Sequence, residues 1–291
     1  MSGAAAIFLN EGAGSARSDR ARRTVELTRR ALDADLHVTA TRSPAVLEAW
    51  LRERIDGYAT AVIAGGDGSL SVAYNVAAGR DLALGYIPAG FGNATRHLLH
   101  LPTDPEALTA VIVAGDARPI DLVAVEGRLA LFAGAGWDAL VARRYAQAGA
   151  RRLPGWARAI AVSIPDLWRR HSVEVVVDGE TVHYGPMGLL VVSTTPFYGR
   201  GLEVNPGARA DAGRLTLRVY AGPAPHLAVE MGRWVARRAP AAPPFEAERV
   251  ELRAMDGRPI PLQADGDVLG ARDAWHFEVR PAAVRLIGRW S

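Results

Sequence analysis

The stretch that most constrains this chain is Ala61-Val-Ile-Ala-Gly-Gly-Asp-Gly-Ser69. Four apolar residues read as the end of a buried strand, three glycines around an acid follow, and a helix-capable run begins at Leu70. Strand, glycine turn and helix form the layout of a phosphate-binding loop. Glycine lets backbone N–H groups approach an anion that a Cβ would hold off. The helix start adds donors and the favourable end of its dipole. No Gly-Lys-Ser/Thr follows, so this is not the lysine-bearing phosphate loop. An acid inside a phosphate cradle repels phosphates unless a divalent cation or a reacting hydroxyl lies between them. Asp67 therefore reads either as part of a phosphoryl-transfer site or as a helix cap in a tight turn.

The rest of the chain sets that loop in a repeating pattern. Ala4 to Asn10 reads as a buried strand ending in the glycine-bearing turn Asn10-Glu-Gly-Ala-Gly-Ser15. Arg17 to Ala34 reads as a helix, Leu36 to Thr41 as a strand, and Ser43-Pro44 as a helix start. Thr60 to Ala64 and Leu82 to Ile87 are further strands, the second running into Pro88-Ala-Gly-Phe-Gly-Asn-Ala-Thr-Arg96. Asp104-Pro105 caps the next helix. This alternation predicts a parallel sheet covered by helices, with two glycine loops flanking one crevice. After about Asp121 the pattern changes to short strands joined by hairpin signals such as Glu126-Gly127 and Asp178-Gly179. We therefore expect an α/β domain over residues 1–121 and an antiparallel β-sandwich over 122–291, the two tail strands being free to pack on either domain.

Composition excludes several classes. With 291 residues, 49% apolar and 22% charged, the chain has material for a real core. It has no cysteine, so disulfide and thiolate chemistry are absent. No run reaches the roughly 18 apolar residues that span a bilayer, and the N-terminus lacks a signal-peptide pattern. We expect a cytoplasmic protein. All 34 basic residues are arginine, and the net charge is +3. No dense basic block suggests nucleic acid. Arginines at 143, 144, 151, 152, 158, 169 and 170 bracket an apolar, Trp-bearing stretch. It reads as a surface for anionic membranes, peripheral at the inner membrane face, or as an ordinary packed helix.

Six elements in register resemble the diacylglycerol kinase and sphingosine kinase superfamily. They are the Gly65–Ser69 loop, Pro88-Ala-Gly-Phe-Gly-Asn93, Arg118-Pro-Ile-Asp121, Gly134-Ala-Gly-Trp-Asp138-Ala, the Gly201–Leu215 segment and Asp265-Gly266-Asp267. The turn from Asn10 to Ser15 also resembles the family's first loop. The resemblance implies an NAD kinase/diacylglycerol kinase-like α/β domain plus a β-sandwich, with catalysis between them. It implies ATP and Mg2+ as cofactors and a lipid hydroxyl as acceptor, on diacylglycerol, a sphingoid base or a related lipid of phospholipid metabolism. Asn10, Thr41, Gly65, Gly66, Asp67, Gly68, Ser69, Gly90 and Asn93 would contact the nucleotide. Asp67 and Asp121 would organise Mg2+. Asp267, in place of the family's Glu, would take the hydroxyl proton beside Asp67. Ala94 and Ala212 stand where relatives carry acids, and Phe91 replaces a small hydroxyl residue. The alternatives are an NAD kinase-like enzyme, which shares the first loop, and an inactive relative that binds nucleotide or lipid. The acceptor lipid and the oligomeric state are not legible in the sequence.

Overall fold

A computed structural model describes residues 4–90, 92–147 and 153–290. The chain divides into one unit of Met1–Ile120 with Ala282–Ser291 and a second of Asp121–Pro281.

In the first unit the parallel strands are β1 (Ala5–Asn10), β2 (Asp35–Thr39), β3 (Thr60–Gly65) and β4 (Ala83–Pro88), in the order β2-β1-β3-β4. β1, β3 and β4 are buried along almost their whole length, so they read as continuous apolar runs, as strands covered on both faces must. The covering helices are α1 (Asp19–Leu32), α2 (Pro44–Arg52), α3 (Asp67–Ala77), α4 (Ala94–Leu98) and α5 (Pro105–Ala114). Local chemistry sets their starts. Ser18, Ser43 and Asp104 each accept a first-turn N–H, and proline opens α2 and α5. Strand β2 stops at Thr39, two residues short of the expected Thr41.

The division differs from the expected 121/122 boundary at both ends. Asp121 groups with the second unit, and residues 282–291 group with the first. The reason is hydrogen bonding. Strand β5 (Ala117–Val125) runs across the division, as does the long last strand, whose Arg285 and Leu286 pair in parallel with Ala83 and Leu84 of β4. Gly288 then donates to the Asp116 carbonyl at 3.2 Å, and the Trp290 indole donates to the same carbonyl at 2.9 Å.

The second unit is antiparallel. Its strands are β6 (Arg128–Ala130), β7 (Phe132–Gly136), β8 (His171–Val177), β9 (Glu180–Met187), β10 (Leu189–Ser193), the short pair β11 (Phe197–Tyr198) and β12 (Leu202–Glu203), β13 (Leu215–Tyr220), β14 (Phe245–Ala247), β15 (Arg249–Ala254), β16 (Ile260–Ala264), β17 (Asp267–Arg272) and β18 (Ala274–Ile287). One sheet runs β14-β13-β10-β7-β16-β17; in the other, β15 lies between β8 and the first part of β18, with β9 at the edge. Val173, Val175, Leu190, Leu217, Leu262, Trp275 and Phe277 form the core of this sandwich. On β10, Leu190 and Val192 face this core, while Leu189 and Val191 join a second cluster with Trp137, Leu167 and Leu227. That cluster lies under α6 (Trp137–Gln147), α7 (Leu153–Ser163) and α8 (Ala224–Val235). Helix α8 was not expected from the sequence. Its apolar Leu227, Met231 and Trp234 keep helical spacing, but β signals on either side mask it.

Candidate functional site

In the strand order β2-β1-β3-β4 the direction of winding reverses between β1 and β3. Ligands of open α/β sheets bind at such a switch, outside the carboxyl ends of the strands. The carboxyl ends here are Asn10 and Gly65. The Asn10 amide donates to Ser69 Oγ at 3.2 Å, and its oxygen accepts the Gly12 N–H at 3.0 Å, tying the first turn to the start of α3. A Cβ on Gly12 would lie 2.5 Å from the Thr41 carbonyl oxygen, so glycine there brings Thr41 against the β1 turn. The expected residues Asn10, Thr41, Gly65 and Ser69 thus come together.

The two glycine loops touch through their backbones. A Cβ on Gly90 would lie 2.6 Å from the Gly66 Cα and 2.9 Å from Asn93 Oδ1. Ala89 donates to the Gly65 carbonyl at 2.7 Å, and Ser15 donates to the Ala89 carbonyl at 2.7 Å. Helix α3 begins with Gly66 as its N-cap and has no side-chain cap, and the space beside Gly68 is open. An uncapped helix start leaves N–H donors and the positive dipole end facing outward, which suits phosphate.

Asp67 and Asn93 are engaged within the loops. Asp67 Oδ2 accepts the Ala94 N–H at 3.0 Å; Oδ1 accepts the N–H and hydroxyl of Thr95, each at 3.2 Å. Burial pushes the Asp67 carboxyl pKa up, and these donors pull the other way without cancelling it. Asn93 holds a left-handed backbone (φ 46°); its oxygen accepts the Gly90 N–H at 2.9 Å and the Tyr86 hydroxyl at 3.2 Å. Its amide returns a bond to the Gly90 carbonyl. Asn93 therefore fixes the shape of the second loop. Phe91 lies outside the described residues.

In the second unit, Asp121 is buried and accepts the Gly213 N–H at 2.6 Å, while its own N–H donates to the Ala210 carbonyl. It anchors the 210–213 loop. Asp211, the acid beside Ala212, forms an ion pair with Arg209 at 3.1 Å. Asp265 and Gly266 form a two-residue turn between β16 and β17, with both φ positive. Asp267, the next residue, pairs with Arg128 through Oδ2 at 2.5 Å, and among the described residues its Oδ1 accepts no hydrogen bond. Sequence reasoning missed the cluster behind this turn. The Tyr198 hydroxyl donates to Asp138 Oδ2 at 2.5 Å, and the Gln263 amide donates to the same oxygen at 2.7 Å. Burial raises the Asp138 pKa despite both donors. Nothing local marks Tyr198 or Gln263, although Asp138 lies in a motif singled out above. Among the described residues no three His, Asp or Glu side chains gather as a metal site.

A doubly covered parallel sheet with glycine loops at its switch point, followed in the chain by an antiparallel sandwich, defines an α/β protein with an added β domain. Residues 4–125 match the diacylglycerol kinase catalytic domain, and residues 132–288 match the YegS C-terminal NAD kinase beta sandwich-like domain. The chain belongs to the lipid kinase family that joins these two domains. A "Diacylglycerol kinase" of Mycobacterium tuberculosis is 33% identical over 166 residues, 54% of this chain and 53% of that protein. The chain thus matches about half the length of the mycobacterial relative. A "Probable lipid kinase YegS-like" of Stenotrophomonas maltophilia is 27% identical over 86% of both chains. A diacylglycerol kinase structure from Bacillus anthracis str. Sterne shares the fold with a TM-score of 0.74 at 15% identity, covering 98% of this chain and 97% of that one.

Proposed function

We propose that this chain transfers the γ-phosphate of ATP to a hydroxyl of diacylglycerol, a sphingoid base or a related lipid. The observation that carries the proposal is the uncapped α3 start between two glycine loops in backbone contact. Gly65, Gly66, Gly68 and Ser69 would hold the phosphates, the Ser69 N–H itself being bonded to the Gly66 carbonyl, with Asn10, Thr41 and the Gly90–Asn93 loop shaping the rest of the nucleotide site. Asp67 is a carboxylate at the start of α3 beside the open space at Gly68, and it would help hold Mg2+ directly or through water. Asp121 would be the second acid toward that ion. When bound, Mg2+ would neutralise the phosphate charge that builds during transfer. Asp267 Oδ1 would accept the proton of the lipid hydroxyl, its partner oxygen being steadied by Arg128.

A lipid kinase must reach its substrate at a bilayer. No helix among the described residues is long and apolar enough to cross a membrane. Val162, Ile164 and Trp168 are exposed near Arg158 and Arg169 in sequence, with Trp168 65% accessible. This supports peripheral contact with an anionic surface. Arg151 and Arg152 of that stretch lie outside the described residues.

The test is turnover with labelled ATP, Mg2+ and a mixed bacterial lipid extract, with NAD as a control acceptor. We expect a labelled lipid that Asp67→Asn reduces by about a hundredfold or more. Labelled NADP without labelled lipid would replace this reading with the NAD kinase one. ATP binding without any product would leave a binding protein. Loss of co-sedimentation with anionic vesicles when Trp168→Ala is introduced would support the membrane contact, and its retention would remove that residue from it.

A further inference from the structure

The second unit contains a cavity of about 220 Å³ that the proposed reaction does not use. Trp137, Leu140, Arg143, Arg169, His171 and Arg258 are among its lining residues. They come from distant parts of the unit: α6, the turn leading into β8, and the segment before β16. We propose that this cavity binds the phosphate group of an organic phosphate ester.

The charge around it is unbalanced. Arg169 and Arg144 share one carboxylate, Asp166. Arg258 pairs with Asp256, which also accepts the Ser172 N–H at 2.9 Å. Among the described residues Arg143 forms no ion pair. Three guanidinium groups, Arg143, Arg169 and Arg258, line the cavity, and the two carboxylates paired with them are Asp166, which Arg144 also engages from outside the lining, and Asp256, so positive charge is in excess. Three arginine forks around one space offer more donors than a carboxylate can accept and match the several oxygens of a phosphate.

His171 adds neutral hydrogen-bonding capacity. Its Nδ1 is buried and has no hydrogen-bond partner. Burial, and then the charge of Arg258, depress its pKa, so the ring is neutral near pH 7 and adds no charge. A ligand oxygen would give Nδ1 the partner it lacks. Trp137 and Leu140 supply apolar wall, which favours an esterified phosphate over the bare ion. The volume is below the roughly 300 Å³ at which drug-sized ligand sites begin. It suits a head group and not a whole lipid. The ester could be a soluble metabolite or the head of an anionic glycerolipid, and the test separates them.

The experiment is calorimetric titration of the full chain, without ATP, using glycerol 3-phosphate. A parallel flotation assay uses phosphatidylcholine vesicles with and without about one fifth phosphatidate. Arg143 is exposed and, among the described residues, forms no ion pair, so Arg143→Ala should fold as the wild type does; Arg258→Ala is the second variant. We expect each to weaken glycerol 3-phosphate binding by about tenfold or more, with Arg143→Lys keeping part of the affinity. Dependence of phosphatidate-vesicle binding on the same two residues would assign the site to a lipid head group. Dependence of the soluble arm alone would assign it to a soluble ester. Unchanged affinity in both alanine variants, or no phosphate-dependent binding in either arm, would overturn the proposal. Because ATP is absent, failure here is distinct from failure of the kinase reading.

Discussion

The chain spells Asp-Gly-acid twice, as Asp178-Gly179-Glu180 and as Asp265-Gly266-Asp267. Locally the two are the same object. Each Asp has φ 49°, each Gly a larger positive φ, and each pair is the two-residue turn of an antiparallel hairpin. Each first Asp also reaches back to a neighbouring strand. Asp178 accepts the N–H groups of Glu248 and Arg249, and Asp265 accepts those of Leu131 and Phe132. The difference lies in the third residue and in what stands behind the turn. Glu180 is exposed and, among the described residues, forms no ion pair, whereas Asp267 is half-buried against Arg128. Behind Asp265 stand Gln263, Asp138 and Tyr198; the residue that takes the place of Gln263, two before Asp178, is the apolar Val176. The tripeptide specifies a turn, and long-range partners make one copy a candidate for chemistry.

The sharpest way to break this comparison is to neutralise the third residue of each turn. Asp267→Asn should lower lipid phosphorylation by about a hundredfold or more, as loss of a general base does. Glu180→Gln should leave turnover unchanged. Equal effects, measured with labelled ATP under identical conditions, would mean that Asp267 is only the end of a hairpin.

A stability comparison comes next. A Cβ at Gly134 would overlap the Asp138 carboxylate and the Tyr198 hydroxyl and lie 2.8 Å from the Gln263 amide. Gly134→Ala should cost about 2–3 kcal/mol in urea unfolding, the range of overpacked cores. At Gly179 an added Cβ meets open space, so Gly179→Ala should cost only the backbone penalty of its positive φ, about 1 kcal/mol. Similar losses would show that the Asp138 cluster yields easily. The first acids offer a smaller contrast. Asp265→Ala strands the N–H groups of the buried Leu131 and Phe132 and should cost about 2 kcal/mol. Asp178→Ala leaves its N–H groups to water and should cost under about 1 kcal/mol.

These contrasts also mark how far the sequence could be read. The first unit was legible because strands covered on both faces are continuous apolar runs and each ends in a glycine turn. The meeting of Gly66 with Gly90 follows from two loops at adjacent strand ends. The Glu126-Gly127 and Asp178-Gly179 hairpins were legible for a similar reason, since only a few residues tolerate φ > 0 twice running. The return of residues 282–291 to the first unit was left open, because a strand's apolar pattern does not name its partner. Tyr198 and Gln263 were invisible. They lie 60 and 125 residues from Asp138, and no local pattern joins them. Asn93 looked like a ligand contact by its place in the loop, yet its side chain is bonded within that loop.

The smallest expected effect is a pH dependence that belongs to the cluster behind the second turn. Burial holds the Asp138 pKa above its ordinary value, so in the folded chain the proton stays on to higher pH than in the unfolded one. Where the folded state binds more protons, stability falls as pH rises. The contribution of Asp138 is therefore favourable when the group is protonated. It is lost as pH climbs from the ordinary carboxylate value through the raised one. Asp138→Asn keeps a neutral side chain and should flatten that part of the stability curve. The flattening should show as a smaller decrease in melting temperature between acid and neutral pH. An unchanged slope in Asp138→Asn would mean that Tyr198 and Gln263 stabilise the carboxylate enough to cancel its burial. Asp138 would then be an anion at neutral pH, with both donors holding it ready for a ligand.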